Sequence, residues 1–400
     1  MVDCGDLYHI SAQMSQALQS DDQAFGGKNM IFAGDFAQLP PIQTKGPALY
    51  SHNVSTVLGT TNGFREQQRT IGKALWHQAT VVVILRQNMR QRSQTERDAQ
   101  FRTALENMRY KSCTAQDIAL LRSRIKGPQN PDVDPNHPNF RFVSVITAFN
   151  SQRDQINTTM SERFAQETNQ VLKPFYSVDK WKAREPTSAR PKGRQLDPKR
   201  KSNNVPPDMQ AKLHSLPHGA TMHIPGVLKL CHGLPVMIKR NEATEVCVTN
   251  GAEGTVVGWQ SHALDDRREA LDVVFVKLTK PPTNVQLKDL PENVVPLAQQ
   301  STPIKCNTPN DGNIFISREQ VPIVPNFAMT DYASQGRTRP FNIVDPFKCR
   351  SHYSMYTCLS RSASLDGTIL MRDFSTAIIT GGLPGHVNFP ATSMLQHAAP

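Results

Sequence analysis

One stretch constrains this chain more than any other: Phe25-Gly26-Gly27-Lys28-Asn29-Met30-Ile31-Phe32-Ala33-Gly34-Asp35-Phe36-Ala37-Gln38-Leu39-Pro40-Pro41-Ile42. A short apolar run stops at Gly34-Asp35, and a glutamine and a double proline follow. Residues 30–33 read as a buried parallel strand. In open α/β sheets, ligands sit just beyond the carboxyl ends of such strands. That places Asp35 and Gln38 where a carboxylate and a neutral amide would serve a nucleotide. Pro40-Pro41 stiffens the exit and stops a helix from starting at once. On these residues alone, a polar turn after a strand is the competing reading.

The rest of the chain alternates helix-like and strand-like signals. Leu7, Ile10, Met14 and Leu18 recur at helical spacing. Residues 80–85 (Thr-Val-Val-Val-Ile-Leu) and 142–147 (Phe-Val-Ser-Val-Ile-Thr) are further strand candidates. Between them, residues 101–125 read as one helix, with Leu105, Met108, Leu120 and Leu121 on apolar faces. Strands alternating with helices predict an α/β fold whose parallel sheet has helices on both faces. From 226 to 325 the pattern turns to short strands at 234–238, 254–259 and 271–276, with Asn250-Gly251 as a turn signal. A small β-barrel or sheet inserted into the α/β fold is expected there. The segment 375–400, with Gly381-Gly382 and several prolines, is expected to be loose.

Charge narrows the partner class. Lys+Arg number 45 against 34 Asp+Glu, a net charge of +11 and a pI near 9.4. Such a surplus favours a polyanion, usually nucleic acid, over a merely solvated basic surface. Lys180, Lys182, Arg184, Arg190, Lys192, Arg194, Lys199, Arg200 and Lys201 crowd into residues 179–207. That segment cannot bury enough apolar surface to order itself, so a mobile basic loop is expected, either touching a phosphate backbone or solvated. The seven cysteines are scattered and form no C-x-x-C pair, against a zinc ribbon or a disulfide framework. A reducing compartment fits them best. No run of about 18 apolar residues occurs, so no membrane span is expected.

Five stretches now fall into an order. Gly34-Asp35-Phe36-Ala37-Gln38-Leu39-Pro40-Pro41 resembles motif III of the Pif/RecD-type superfamily 1 DNA helicases. Leu85-Arg86-Gln87-Asn88-Met89-Arg90-Gln91 resembles motif IV. Val145-Ile146-Thr147-Ala148-Phe149-Asn150, with Asn157 after it, resembles the strand and loop that grip a sugar-phosphate track. Thr330-Asp331-Tyr332-Ala333-Ser334-Gln335-Gly336-Arg337-Thr338 resembles motif V, and Tyr356-Thr357-Cys358-Leu359-Ser360-Arg361-Ser362 motif VI. The resemblance spans residues 1–374. At 332–333 the common pattern is His-Lys, so the cation is lost at Ala333; the Thr-Asp-Tyr form is similar to helicases of fungal Helitron-type transposons.

The resemblance implies two RecA-like lobes of the P-loop NTPase type, the first incomplete, with an inserted SH3-like β module. The expected division is 1–80 for the first lobe, 81–225 and 326–374 for the second, 226–325 for the insert, and 375–400 for a tail. The implied activity is ATP-dependent 5′-to-3′ unwinding of DNA, with ATP and Mg2+ as cofactors and single-stranded and forked DNA as partners, in the nucleus or mitochondrion. Gln38 would sense the γ-phosphate: an amide can donate to a phosphate oxygen and accept from the attacking water. Asp35 would orient that water or support the magnesium shell. Arg90 and Arg361 would be arginine fingers, always charged and shaped to fork onto phosphate oxygens. Gly336 would let the backbone approach a phosphate. Thr147, Asn150, Asn157, Thr330, Ser334 and Gln335 would contact nucleic acid through hydrogen bonds, and Tyr332 would stack on a base. Tyr353, Tyr356 and Leu359 fall at helical spacing and read as core.

The sequence holds no G-x-x-x-x-G-K-[ST] P-loop and no Asp-Glu pair for magnesium. Gly26-Gly27-Lys28 is a decoy: Asp22 stands at the first glycine position and Asn29 replaces the Ser/Thr. The resemblance therefore predicts the part of a helicase that follows motif II. A first lobe of that kind would expose the neighbours of its central strands.

Overall fold

The computed structural model describes residues 1–41, 46–51, 54, 63–85, 87–92, 95–181, 205–221, 224–308, 312–349 and 351–382. In chain order, α1 (Cys4–Ala17), α2 (Phe64–Trp76), α3 (Glu96–Arg109) and α4 (Ala115–Arg122) come first. Then follow β1 (Val145–Thr147), α5 (Asn150–Glu167), β2 (Lys173–Tyr176), β3 (Val178–Trp181), α6 (Pro207–Ser215) and β4 (Val227–Leu230). Next are β5 (Pro235–Ile238), β6 (Glu253–Ala263), β7 (Glu269–Leu278), β8 (Val294–Ala298), β9 (Gln300–Thr308) and β10 (Gly312–Gln320). The chain closes with β11 (Ile323–Pro325), β12 (Ala328–Thr330), α7 (Asp331–Ser334), β13 (Asn342–Asp345), α8 (His352–Leu359) and β14 (Thr368–Leu370). Two compact units result, residues 1–134 with the segment from Ser334 onward, and residues 135–333.

In the first unit, α1 starts at Asp3, whose carboxylate accepts from Asp6 N–H at 2.8 Å while Asp6 returns a bond to Asp3 N–H. This reciprocal cap satisfies two orphan donors of the first turn. Leu7 packs with Phe25, Leu75 and Trp76. The α1–α2 contact needs Gly72, because a Cβ there would lie 1.7 Å from the Cys4 carbonyl oxygen. β13 and β14 pair in parallel, Ile343 opposite Ile369.

The helix expected over 101–125 is two helices. Lys111 takes a left-handed φ of 54°, and Thr114 caps α4 through its hydroxyl with Asp117 closing the box. A threonine that can bond the backbone locally favours a cap over a helix interior. The segment expected to be loose begins tied down: Ile379 is buried, Cys113 N–H donates to Ile379 O at 3.1 Å, and Gly382 N–H donates to Lys111 O at 3.0 Å. Residues 383–400 lie outside the described residues, as do residues 182–204 of the basic loop.

Two expected strands are not strands. Residues 30–33 and 80–85 carry no strand pairing; Ile31 is 93% exposed and Leu85 90%. A buried parallel strand exists only where neighbours take its N–H and C=O groups, and among the described residues none does. Of residues 142–147, only β1 forms, pairing in parallel with β12 so that Thr147 faces Thr330.

The second unit is built on a five-stranded antiparallel sheet in the order β11-β5-β6-β7-β8, which contains the three short strands expected between 226 and 325. Its core gathers Phe164, Phe175, Leu228, Val236, Val274, Val295 and Phe327. A second sheet, β3-β10-β9, carries the fully buried Arg318. Its guanidinium meets both oxygens of Asp179 at 2.8 and 2.9 Å and also donates to the carbonyls of Leu213 and Ile224. Among the described residues no helix is long and apolar enough to cross a membrane.

Removing one partner of a buried, hydrogen-bonded ion pair strands the other. Arg318→Met is therefore expected to cost about 3–5 kcal/mol in denaturant unfolding. The double change Asp179→Leu with Arg318→Met is expected to recover part of that loss.

Candidate nucleotide site

The loop after residues 30–33 closes on itself before it meets anything else. Gln38 N–H donates to Asp35 O at 3.1 Å, and Ala37 N–H donates to Asp35 Oδ1 at 3.0 Å. This is the side-chain-to-backbone turn that aspartate favours. Gln38 Nε2 donates to Asp35 Oδ2 at 3.3 Å. Two donors from elsewhere in the unit reach the same oxygen: Arg109 Nη1 at 2.9 Å and Tyr356 OH at 3.1 Å. Arg109 Nη1 also donates to Tyr356 OH at 2.8 Å. Burial opposes the Arg109 charge, and Tyr356 and Asp35 more than offset it, so its pKa is raised. Burial and the Asp35 charge push the Tyr356 phenol up to about 12.

Arg361 follows the C-terminus of α8 and is fully buried. Its Nε donates to Thr357 O at 2.9 Å and its Nη2 to Ser360 Oγ at 2.8 Å. Its Nη1 is buried with no hydrogen-bond partner among the described residues. Burial and the nearby charge of Arg90 push Arg361 down to about 10, with Asp35 acting in the opposite sense. Arg90 sits in a turn where Asn88 Oδ1 accepts from the N–H groups of Arg90 and Gln91. Its Nε donates to Thr338 Oγ1 at 3.0 Å and its Nη1 to Ser360 O at 2.8 Å. Thr357 also joins the loop, its Oγ1 accepting from Leu39 N–H at 3.2 Å. Arg90, Arg361 and the Asp35–Gln38 loop are thus brought together in one unit. The arrangement suits an anion with several oxygens, because one buried guanidinium has a donor to spare.

The Gly26-Gly27-Lys28 segment is a decoy in the structure as well. The Gly26-Gly27 decoy turns through left-handed φ angles of 61° and 72°. The amides of Phe25 and Gly26 donate to the hydroxyls of Ser11 and Ser15, so they cradle no phosphate. Asp35 spends both oxygens on protein donors, and the described residues hold no group of three or more His, Cys, Asp or Glu able to hold a metal. Asp35 Oδ1 accepts from one N–H only, which leaves it a lone pair for a supporting contact to a metal-bound water but no full ligand set for an ion.

The nucleic-acid candidates divide. Tyr332 is 39% exposed, on a turn where Thr330 Oγ1 accepts from Ala333 N–H. Asn150, exposed at the start of α5, accepts from Arg153 Nη1 at 2.7 Å. Gln335 is half-buried, and Gly336 has a φ of 78° that favours glycine. Thr147 and Ser334 are fully buried, and Thr147 Oγ1 donates to Phe149 O at 3.1 Å. Asn157 has another task. Its Oδ1 accepts from Phe327 and Ala328 N–H and its Nδ2 donates to Ala328 O, so the buried amide clasps β12 and does not present itself to a ligand.

Sequence reasoning missed Arg109 and assigned Tyr356 to the core. Tyr356 is buried, but its hydroxyl is a site group. Arg109 stands 74 positions from Asp35, so no local spacing signals the pair.

The family model for the PIF1-like helicase matches residues 6–117, which include Asp35, Gln38, Arg90 and Arg109. The ATP-dependent DNA helicase PIF1 of Mus musculus is 22% identical over 375 residues, covering 94% of this chain and 44% of that protein. Its Homo sapiens counterpart is 22% identical over 363 residues, covering 90% and 43%. The chain thus spans less than half the length of these curated relatives. Among solved structures, Bacteroides Pif1 bound to ssDNA aligns over 99% of this chain and 74% of that one, with a TM-score of 0.62 and 17% identity. Pif1 helicase from Candida albicans aligns over 98% and 75%, with a TM-score of 0.58 and 18% identity. The mixed α/β fold is that of the Pif1 helicases.

His352, on the helix that carries Tyr356, gives this unit an acid limit. Burial, aided by Lys111, pushes its imidazole down to about 4. The unfolded chain takes up that proton near pH 6.5 and the folded one does not. The stabilisation is therefore complete above pH 6.5 and is lost as pH falls toward 4, by about 2–3 kcal/mol. His352→Gln is expected to flatten that part of the stability–pH curve, measured by urea unfolding from pH 7 to pH 4.

Proposed function

We propose, from the match of residues 6–117 to the PIF1-like helicase model and the similarity to PIF1 helicases, that the chain supplies the phosphate-sensing and strand-gripping parts of an ATP-dependent 5′-to-3′ DNA helicase. The observation that carries this reading is the buried Arg361 guanidinium with an unused Nη1, set beside Arg90 and the Asp35–Gln38 loop. An uncompensated buried cation is costly, and a phosphate oxygen at Nη1 would satisfy both its charge and its free donor. Arg90 and Arg361 are the proposed fingers and Gln38 the proposed sensor of the γ-phosphate, within lobes bounded as the sequence suggests. Contacts of this kind differ between nucleotide-bound and nucleotide-free states, which is what a motor needs. A solved Bacteroides Pif1 in complex with ADP-AlF3 and ssDNA, 19% identical with a TM-score of 0.58, supports the pairing of nucleotide and strand. A nuclear or mitochondrial setting is part of the same proposal. No step is assigned to magnesium, since the described residues hold no group of three or more His, Cys, Asp or Glu able to hold a metal.

On the strand side, Tyr332, Asn150, Gln335 and the Gly336 backbone are the proposed contacts to single-stranded or forked DNA, with Thr147, Thr330 and Ser334 shaping their turns. A second reading, a nucleic-acid-binding piece without catalysis of its own, is favoured by the missing P-loop and Asp-Glu pair. Both readings agree that the chain alone hydrolyses ATP negligibly. An ATPase rate stimulated by single-stranded DNA, measured on the purified 400-residue chain, would contradict both.

The phosphate reading is tested with inorganic tripolyphosphate at constant ionic strength. The thermal midpoint is expected to rise with tripolyphosphate, as ligand linkage requires. Arg361→Gln and Arg90→Gln are each expected to abolish the rise, while the surface change Arg163→Gln keeps it. A rise that survives Arg361→Gln refutes the assignment. On the DNA side, Tyr332→Ala is expected to weaken binding of a single-stranded oligonucleotide by about 1–3 kcal/mol, read by fluorescence anisotropy.

A further inference from the structure

Asp35 Oδ2 accepts from three side chains at once: Gln38 Nε2, Arg109 Nη1 and Tyr356 OH. This crowding fixes the polarity of the Gln38 amide. With one Nε2 hydrogen committed to the carboxylate, Oε1 is turned away from Asp35 and set to accept, while the second Nε2 hydrogen stays available. A glutamine held this way presents Oε1 to accept a hydrogen bond from a water, with its remaining N–H beside it for a phosphate oxygen. Released from Asp35, the amide is free to turn over and the direction of Oε1 is no longer fixed.

Arg109 and Tyr356 hold Asp35 from outside the loop. The guanidinium stacks on the phenol, 5.4 Å from its ring centre, while bonding both the hydroxyl and the carboxylate. Arg109 ends α3 and Tyr356 lies on the last turn and a half of α8, before Arg361. Neither side chain is among the proposed phosphate ligands. We propose that Arg109 and Tyr356 are positioning residues that, through Asp35, fix Gln38 as a water acceptor. The role rests on the phosphate-sensing reading for its purpose, but the hydrogen-bond chain stands on its own geometry.

The test separates the two. In the uniformly 15N-labelled 400-residue chain, hydrogen exchange at the Gln38 side-chain amide is followed by NMR, with the Gln210 amide, bonded to Asp179 at 2.9 Å in the other unit, as internal reference. Arg109→Gln and Tyr356→Phe are each expected to speed Gln38 exchange about tenfold relative to Gln210, the loss of one charge-assisted hydrogen bond. Arg109→Lys, which keeps the charge, is expected to restore most of the protection. Unchanged Gln38 exchange in folded Arg109→Gln or Tyr356→Phe overturns the proposal. Tyr356→Phe removes a single hydroxyl, so the test holds even where Arg109→Gln does not fold. Tripolyphosphate distinguishes the failures. A midpoint response with no change at Gln38 in the variants leaves phosphate sensing intact and refutes the positioning role. Loss of Gln38 protection with no tripolyphosphate response establishes the positioning chain and refutes the phosphate reading.

Discussion

A buried guanidinium at the end of a helix, with no ion pair among the described residues, is the constraint around which this site is arranged. Arg361 reaches oxygens through Nε and Nη2 but not through Nη1. Arg90 nearby makes the charge dearer still. Groups that lower the stability of the free protein survive where a ligand recovers the loss. The neutral oxygens of Thr357 and Ser360 hold the fork in place without cancelling its charge. A carboxylate in their place would neutralise that charge and leave Arg90 as the remaining cation of the site.

The last turn of α8 does more than carry that arginine. Tyr356 bonds Asp35, Thr357 accepts from Leu39 N–H and from Arg361 Nε, and Ser360 O accepts from Arg90. One turn therefore touches the Asp35–Gln38 loop and both guanidiniums. It is itself held from the strand side: Asn342 Nδ2 donates to Cys358 O at 2.9 Å and to Ser362 Oγ at 3.0 Å. A main-chain pair, Arg339 N–H to Arg361 O and Ala363 N–H to Arg339 O, fixes the residues that follow. Such a network moves as a piece, since shifting any member breaks bonds made by the others.

How much of this was legible in the sequence depended on the range of the interaction. Asp35 and Gln38 could be found because the turn that joins them is local, and aspartate, proline and glycine announce turns through their own backbone chemistry. Arg90 and Arg361 emerged from their neighbouring residues in motif-like order. Arg109 could not be found that way, because its partner is distant in the chain and an arginine at a helix C-terminus is ordinary. Tyr356 was misread because helical periodicity reports which face a residue occupies and not what its hydroxyl meets. Asn157 was misread for the converse reason: a polar residue in a gripping motif can spend its whole amide on a neighbouring strand. The apolar run at 30–33 and the β-branched run at 80–85 were read as strands from composition, yet a strand is a property of a pair, and composition does not supply the partner.

Those two runs bear on the site in a further way. Residues 30–33 lead into Asp35, and residues 80–85 lead toward Arg90, and both are exposed. Were the site positioned by its strands, as loops at strand ends usually are, unpaired runs would leave it undefined. It is defined instead from the other side, by side chains of α3 and α8 that grip the loops directly. The geometry of Asp35, Gln38, Arg90 and Arg361 therefore does not require those runs to be paired. Any pairing would act on the site only through the few residues that join each run to its loop, against an arrangement already fixed by charge-assisted hydrogen bonds. Ordering of the runs and ordering of the site are in this sense separable, and the site is the part that the described residues determine.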